Sequence, residues 1–122
     1  MVAETRASYL KDHAAMKEYL LNGSTDLKTV VRRIRPVMEG YLKSRFPNRF
    51  ADNHWFGEMI GIIRTEGNDH PMFGAVDELG AINDYSKKHH HESNPTGYET
   101  EPVNDGELQS FVKRTLAIAG GY

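Results

Sequence analysis

Apolar residues recur along this chain at intervals of three and four almost from end to end, the spacing of one face of an α-helix. Tyr9, Leu10, His13, Met16, Leu20 and Leu21 form the first stripe and predict a helix from about Ala3 to Leu21, ended by Asn22-Gly23. Ser24 or Thr25 then caps a second helix, with Asp26 well placed in its first turn. Its buried stripe is Leu27, Val30, Val31, Ile34, Met38, Tyr41 and Leu42. Pro36 interrupts that stripe. It lacks an N–H and disfavours helical dihedrals at Arg35, so a kink or split is expected near Arg35. Phe46-Pro47-Asn48 ends the element.

Asp52 or Asn53 opens a third helix carrying Trp55, Phe56, Met59, Ile60, Ile62 and Ile63, and Gly67 stops it. A fourth follows His70-Pro71, turns Val76, Leu79 and Ile82 inward, and runs into His89, His90 and His91. From Glu92 to Val103 the chain is polar, with Pro95, Gly97 and Pro102, and reads as a loop. Asn104 with Glu107 has the spacing of a capping box. The last helix carries Leu108, Phe111, Val112 and Leu116 and ends at Gly120-Gly121. No segment alternates with β-branched enrichment. The pattern predicts an all-α protein: one domain of 122 residues, folded as a compact bundle of four to five helices.

Charge changes this picture locally. The net charge is −2, so no overall basic field draws in nucleic acid. Yet Leu27 to Ala51 holds seven bases (Lys28, Arg32, Arg33, Arg35, Lys43, Arg45 and Arg49) against one acid, Glu39. Glu92 to Glu107 holds five acids and no base, and could fold over the basic face as a lid. A local basic face binds a polyanion even on an acidic chain, and Arg32, Arg33, Lys43, Arg45 and Lys87 are the candidates for RNA contact. A solvated helix face explains most of these bases equally well. The chain has no cysteine, hence no disulfide and no thiolate chemistry. It has no apolar stretch long enough to span a bilayer and no signal-peptide pattern at its start, so a cytoplasmic protein is expected. Neither GxxxxGK[ST] nor GxGxxG is present, so nucleotide hydrolysis, if it matters, belongs to another chain or a missing part of this one.

Arg35 and Glu39 stand one helical turn apart, at the edge of the apolar stripe. An arginine holds phosphate, a carboxylate orients a neighbour, and an imidazole moves a proton near neutral pH. On the fourth helix, Leu79, Asn83, Ser86 and His90 share a face, which aims Asn83 and His90 at the bundle. His91 is the second choice, and His89 should turn away or pack beside Ile82. The plain alternatives are an intrahelical salt bridge for Arg35 and Glu39 and a surface polyhistidine stretch. A zinc site on one helix wants ligands four apart, which three adjacent histidines do not supply, so no metal and no other cofactor is expected. His54 or His70 could join such a site, but nothing requires them. His13 reads as a core histidine, and Trp55 as core or rim rather than a base-stacking platform.

The runs RPVMEGYLKSRFPNRF, INDYSKKHHHESNP and DGELQSFVKRTLAI resemble the C-terminal helical region of large bacterial proteins that join an ABC-type ATPase to a nuclease-like end. That group is similar to the PrrC/RloC anticodon nucleases, whose toxic domains are HEPN-like ribonucleases. The resemblance covers about residues 27 to 118. It implies Arg35, Glu39 and His90 (or His91) as catalytic residues, with Asn83 opening the last active-site segment. It also implies metal-independent cleavage of RNA, tRNA above all, in a defence system, together with a homodimer and a regulatory ATPase as partner. The chain departs from the usual HEPN signature, an arginine followed by a histidine four to six residues later. Asn83 or Lys87 stands where that arginine would be, and Arg64 to His70 has the spacing but crosses Gly67. A docking or dimerisation module of an ATPase, or a histidine-based metal-binding protein, are the alternative readings.

Overall fold

The computed structural model describes residues 2–51, 53–89 and 102–119, with side chains from Lys11 onward. Among these residues there are only helices and turns. Helix α1 spans Val2–Asn22, α2 Leu27–Arg32, α3 Ile34–Arg45, α4 Phe56–Glu66, α5 Val76–Lys88 and α6 Asp105–Ala119. Two 3₁₀ turns, Gly67–Asp69 and Phe73–Ala75, link α4 to α5. Because α2 and α3 are the arms of one kinked run, the bundle has five helical rods, as the periodicity predicts.

The kink falls at Arg33, earlier than expected, and Arg35 itself is helical. Pro36 explains both facts. In the first turn of α3 its missing N–H costs nothing, because that donor has no intrahelical partner anyway. Its ring, however, would strike the carbonyl of Arg32, four residues back, and α2 ends at Arg32. At the other end of α2 the cap is Asp26 rather than Ser24 or Thr25. Its carboxylate accepts from the Thr29 backbone N–H at 3.2 Å, and Ser24 Oγ accepts from the Asp26 N–H at 3.0 Å. Gly23, with φ of 73°, closes α1 in the left-handed region that glycine adopts without strain.

Helix α4 also begins later than expected, at Phe56. Ala51 and His54 form a turn of their own: the His54 N–H bonds the Ala51 carbonyl at 3.1 Å, and the Ala51 N–H bonds His54 Nδ1 at 2.9 Å. That turn uses the backbone groups an earlier helix start would need; Asp52 lies outside the described residues. Asn104 caps α6 as expected, its Oδ1 accepting from the Glu107 N–H at 2.9 Å. Tyr9, Leu10, most of the loop from Glu92 to Val103, and Gly120-Gly121 fall outside the described side chains.

Helix α3 is central and touches each of the other five. Ile34, Val37, Met38 and Leu42 are buried on it, and Phe56, Met59, Ile63, Leu79, Ile82, Leu108, Val112 and Leu116 close around them. Each such side chain stabilises the fold by about 1.5–3 kcal/mol relative to exposure. Two stripe assignments are corrected. Leu21 is 80% exposed, and Tyr19, one turn in from the end of α1, is buried in its place with its hydroxyl on Asp105. Trp55 is 60% exposed, because it precedes α4 rather than lying within it.

Candidate functional site

Helices α3, α4 and α5 meet around an open cleft of about 590 Å³. Its walls are Arg35 from α3, Trp55 and Gly57 from the start of α4, and Asn83, Asp84, Lys87 and Lys88 from α5. The volume falls inside the range of about 300–1,000 Å³ typical of small-ligand sites.

Arg35 is the second residue of α3 and, half-buried, is not one of the core residues of that helix. Its Nε is buried and meets no hydrogen-bond acceptor among the described residues. No described carboxylate pairs with it, Glu39 included. A buried donor on a cation ordinarily has a partner, because leaving it unmade costs about 1–3 kcal/mol or more. The cleft therefore holds a guanidinium that no described carboxylate pairs with, although Asp84 is among its lining residues.

Glu39, one turn on, is engaged elsewhere. Its Oε2 accepts from the Phe56 backbone N–H at 2.7 Å. The carboxylate thus caps α4 from a neighbouring helix and sits at the positive end of that helix. Glu58 completes the cap, its Oε1 accepting from the Trp55 N–H at 3.1 Å. By this link Glu39 fixes the α4 wall of the cleft against the α3 wall that carries Arg35. Gly57 keeps the space between them open: a Cβ there would lie 3.6 Å from Asn83 Nδ2, and anything larger would enter the cleft.

Of the residues singled out from the sequence, Arg35, Asn83 and Lys87 come together in the cleft. Lys88 joins them, with Glu107 Oε1 at 3.9 Å from its Nζ. His90 and His91 lie outside the described residues; they follow Lys88 by two and three positions. His89 is buried and packs edge-on to Tyr85 at 4.9 Å, on the Ile82 side of α5. Arg33 is bound to Asp12 at 2.7 Å and braces α1 against the kink rather than facing the cleft. Arg32, Lys43 and Arg45 do not line it, and Arg45 lies 6.0 Å from the Phe46 ring centroid.

The remaining histidines serve the fold. His70 is buried against Phe46 and Phe50, and its Nδ1 accepts from the Met72 N–H at 3.0 Å. Burial pushes its pKa below the ordinary value, which holds the ring neutral. Arg64, six residues before it, lies over Gly80, where a Cβ would meet Arg64 Nη2 at 3.1 Å. The chain turns at Gly67, with φ of 61°, so Arg64 and His70 build no common site. His54 uses Nδ1 in its own turn and lines a shallow groove on the outer face of α4 with Glu58 and Thr65. No group of metal-binding side chains clusters among the described residues.

Trp55, Gly57, Asp84 and Lys88 were missed in the sequence. The available signal was Glu58, three residues after Trp55: that spacing marks a helix start and places the indole at an edge. Comparison of the chain with family models, with curated proteins and with solved structures finds no match. Among the described residues no helix is long and apolar enough to cross a membrane.

Proposed function

We propose that the cleft binds the phosphate backbone of RNA and that the chain is a metal-independent endoribonuclease. The observation that carries this reading is the part-buried Arg35 guanidinium, whose Nε meets no acceptor among the described residues, in a cleft shared with Asp84, Lys87 and Lys88. In the reaction the imidazole of His90 (or His91) takes the proton of a ribose 2′-hydroxyl. The oxygen attacks the adjacent phosphorus, and the bond to the 5′-oxygen of the next nucleotide breaks. Arg35 stabilises the charge that grows on the phosphoryl oxygens. The products carry a 2′,3′-cyclic phosphate and a 5′-hydroxyl. Glu39 acts as a positioning residue through α4. A tRNA anticodon loop is the favoured substrate, since RNA sequence is read mainly in unpaired loops. The cellular setting that fits is a cytoplasmic defence toxin, homodimeric and governed by an ATPase.

One observation favours a second reading. The Glu39 cap shows that half of the Arg35–Glu39 pair serves the architecture, as it would in a non-catalytic docking module. Incubation with total tRNA in EDTA separates the two. Discrete fragments from wild type, and none from His90→Ala or His91→Ala of equal melting temperature, support the nuclease. Intact tRNA with every variant, wild type included, rejects it.

A further inference from the structure

Trp55 has no structural reason to be a tryptophan. It is the only one in the chain, and its indole is 60% exposed. It precedes α4, where Ser, Thr, Asp or Asn is preferred because a side-chain oxygen can cap the helix. An indole nitrogen only donates and cannot do this. Glu39 and Glu58 supply the cap instead. The side chain therefore serves neither core nor cap, and it leaves in water a surface that burial would otherwise use to stabilise the fold.

What it does is wall the cleft that holds Arg35, Asn83 and Lys87. The backbone that carries it is set in advance: its own N–H is held by Glu58 and the next N–H by Glu39. An exposed indole on the same cleft as a guanidinium whose Nε meets no described acceptor is an arrangement that suits a nucleotide, base on the ring and phosphate on the cation. Gly57 contributes no side chain to crowd the space beside it.

We infer that Trp55 is the stacking platform for an unpaired nucleobase and is the residue that makes the cleft prefer single-stranded over duplex RNA. Bases in a duplex are stacked on each other and cannot lie on the ring. The inference rests on the reading that the cleft binds RNA.

The single tryptophan provides its own probe. A short 2′-O-methyl RNA, which cannot be cleaved, is titrated into the protein while indole emission and the anisotropy of a 5′-label on the RNA are followed together. Single-stranded RNA should quench the emission in step with binding. The same strand in a duplex, or an abasic strand of equal length, should leave it unchanged. Trp55→Ala should weaken single-strand binding by about tenfold to a hundredfold and abasic binding hardly at all, while Trp55→Phe retains most of the affinity. If RNA binds in an Arg35-dependent way but emission and Trp55→Ala affinity do not change, the stacking role falls and the cleft reading stands. If no RNA binds, both fall. Emission that follows protein concentration instead of RNA assigns the indole to a contact between copies and overturns the inference.

Discussion

Arg114 and Arg35 are each placed near an aromatic side chain, and of the two only Arg114 is paired with a described carboxylate. Arg114 on α6 makes a two-pronged pair with Glu78 at 2.8 and 2.5 Å, and its guanidinium lies 4.4 Å from the Phe111 ring centroid. Phe111 stacks on Tyr85 at 4.1 Å, and Tyr85 meets His89. Arg35 has a buried Nε with no partner among the described residues and shares its cleft with an exposed indole. The first cluster spends its charge inside the molecule and holds α5 to α6. The second leaves its charge unpaired by any described carboxylate. Residue type does not distinguish the two arginines; the pairing of the guanidinium with a described carboxylate does.

The largest effect expected from this contrast is functional. Arg35→Ala should lower cleavage by about a hundredfold or more, the scale set by removing one stabiliser of a developing anion. Melting temperature should hold or rise slightly, since an unsatisfied buried donor is removed with the side chain. Arg114→Ala should do the reverse: cleavage per folded molecule unchanged, melting temperature lower. Parallel activity assays and thermal melts check both. Equal activity losses in the two variants would erase the distinction.

Glu39 sharpens the boundary between the regions, because it belongs to the fold yet adjoins the cleft. Glu39→Ala leaves the Phe56 N–H without its acceptor and should cost about 0.5–2 kcal/mol, as caps do. It should also raise KM more than it lowers kcat, since the α4 wall with Trp55 loosens. Glu39→Gln keeps an acceptor oxygen and should recover most of both. If Gln abolishes cleavage while the protein melts as wild type does, the carboxylate acts on the reaction directly.

These cases show what the sequence could and could not convey. The helices were legible because apolar spacing is a local property, and Ile34, Met38, Leu42, Met59, Ile63, Leu79 and Ile82 sit in the core where the period puts them. Arg35 and Asn83 were legible as a pair because both border apolar stripes. The role of Glu39 was not, because its partner is a backbone N–H seventeen residues away, and no side-chain pattern marks such a donor. Trp55 was left between core and rim for the same reason. Its exposure depends on where α4 starts, and that is set by Glu39 and by the turn at His54.

A smaller effect lies in the scaffold and depends on pH. Burial lowers the pKa of His70 below its ordinary 6.5, with Glu66 pulling it back up and Arg49 adding to the lowering. Below pH 6.5 the unfolded chain takes up a proton that the folded chain declines, so stability is present above that value and is lost as pH falls. His13 acts in the same direction. His70→Phe, beside Phe46 and Phe50, should therefore flatten part of the acid limb of a melting-temperature profile while leaving the His13 part. A profile as steep as wild type would show that His70 ionises in the fold as freely as out of it.

The smallest effect belongs to the satisfied arginine. The hydrogen bond and charge of Arg114 hold the Glu78 carboxyl below its ordinary 4.5, so the stabilisation is present above that pH and is lost as pH falls through the lowered value. Both side chains are more than a third exposed (36% and 38%), and water and salt screen the pair. Its contribution should therefore be below about 1 kcal/mol despite good geometry. Glu78→Gln should lower melting temperature slightly at neutral pH, and the difference from wild type should shrink in high salt and vanish in acid. It should leave cleavage alone. Should Glu78→Gln depress cleavage as far as Arg35→Ala does with the fold intact, then the α5–α6 cluster would be tied to the chemistry, and the pairing of an arginine would no longer serve to tell site from scaffold in this molecule.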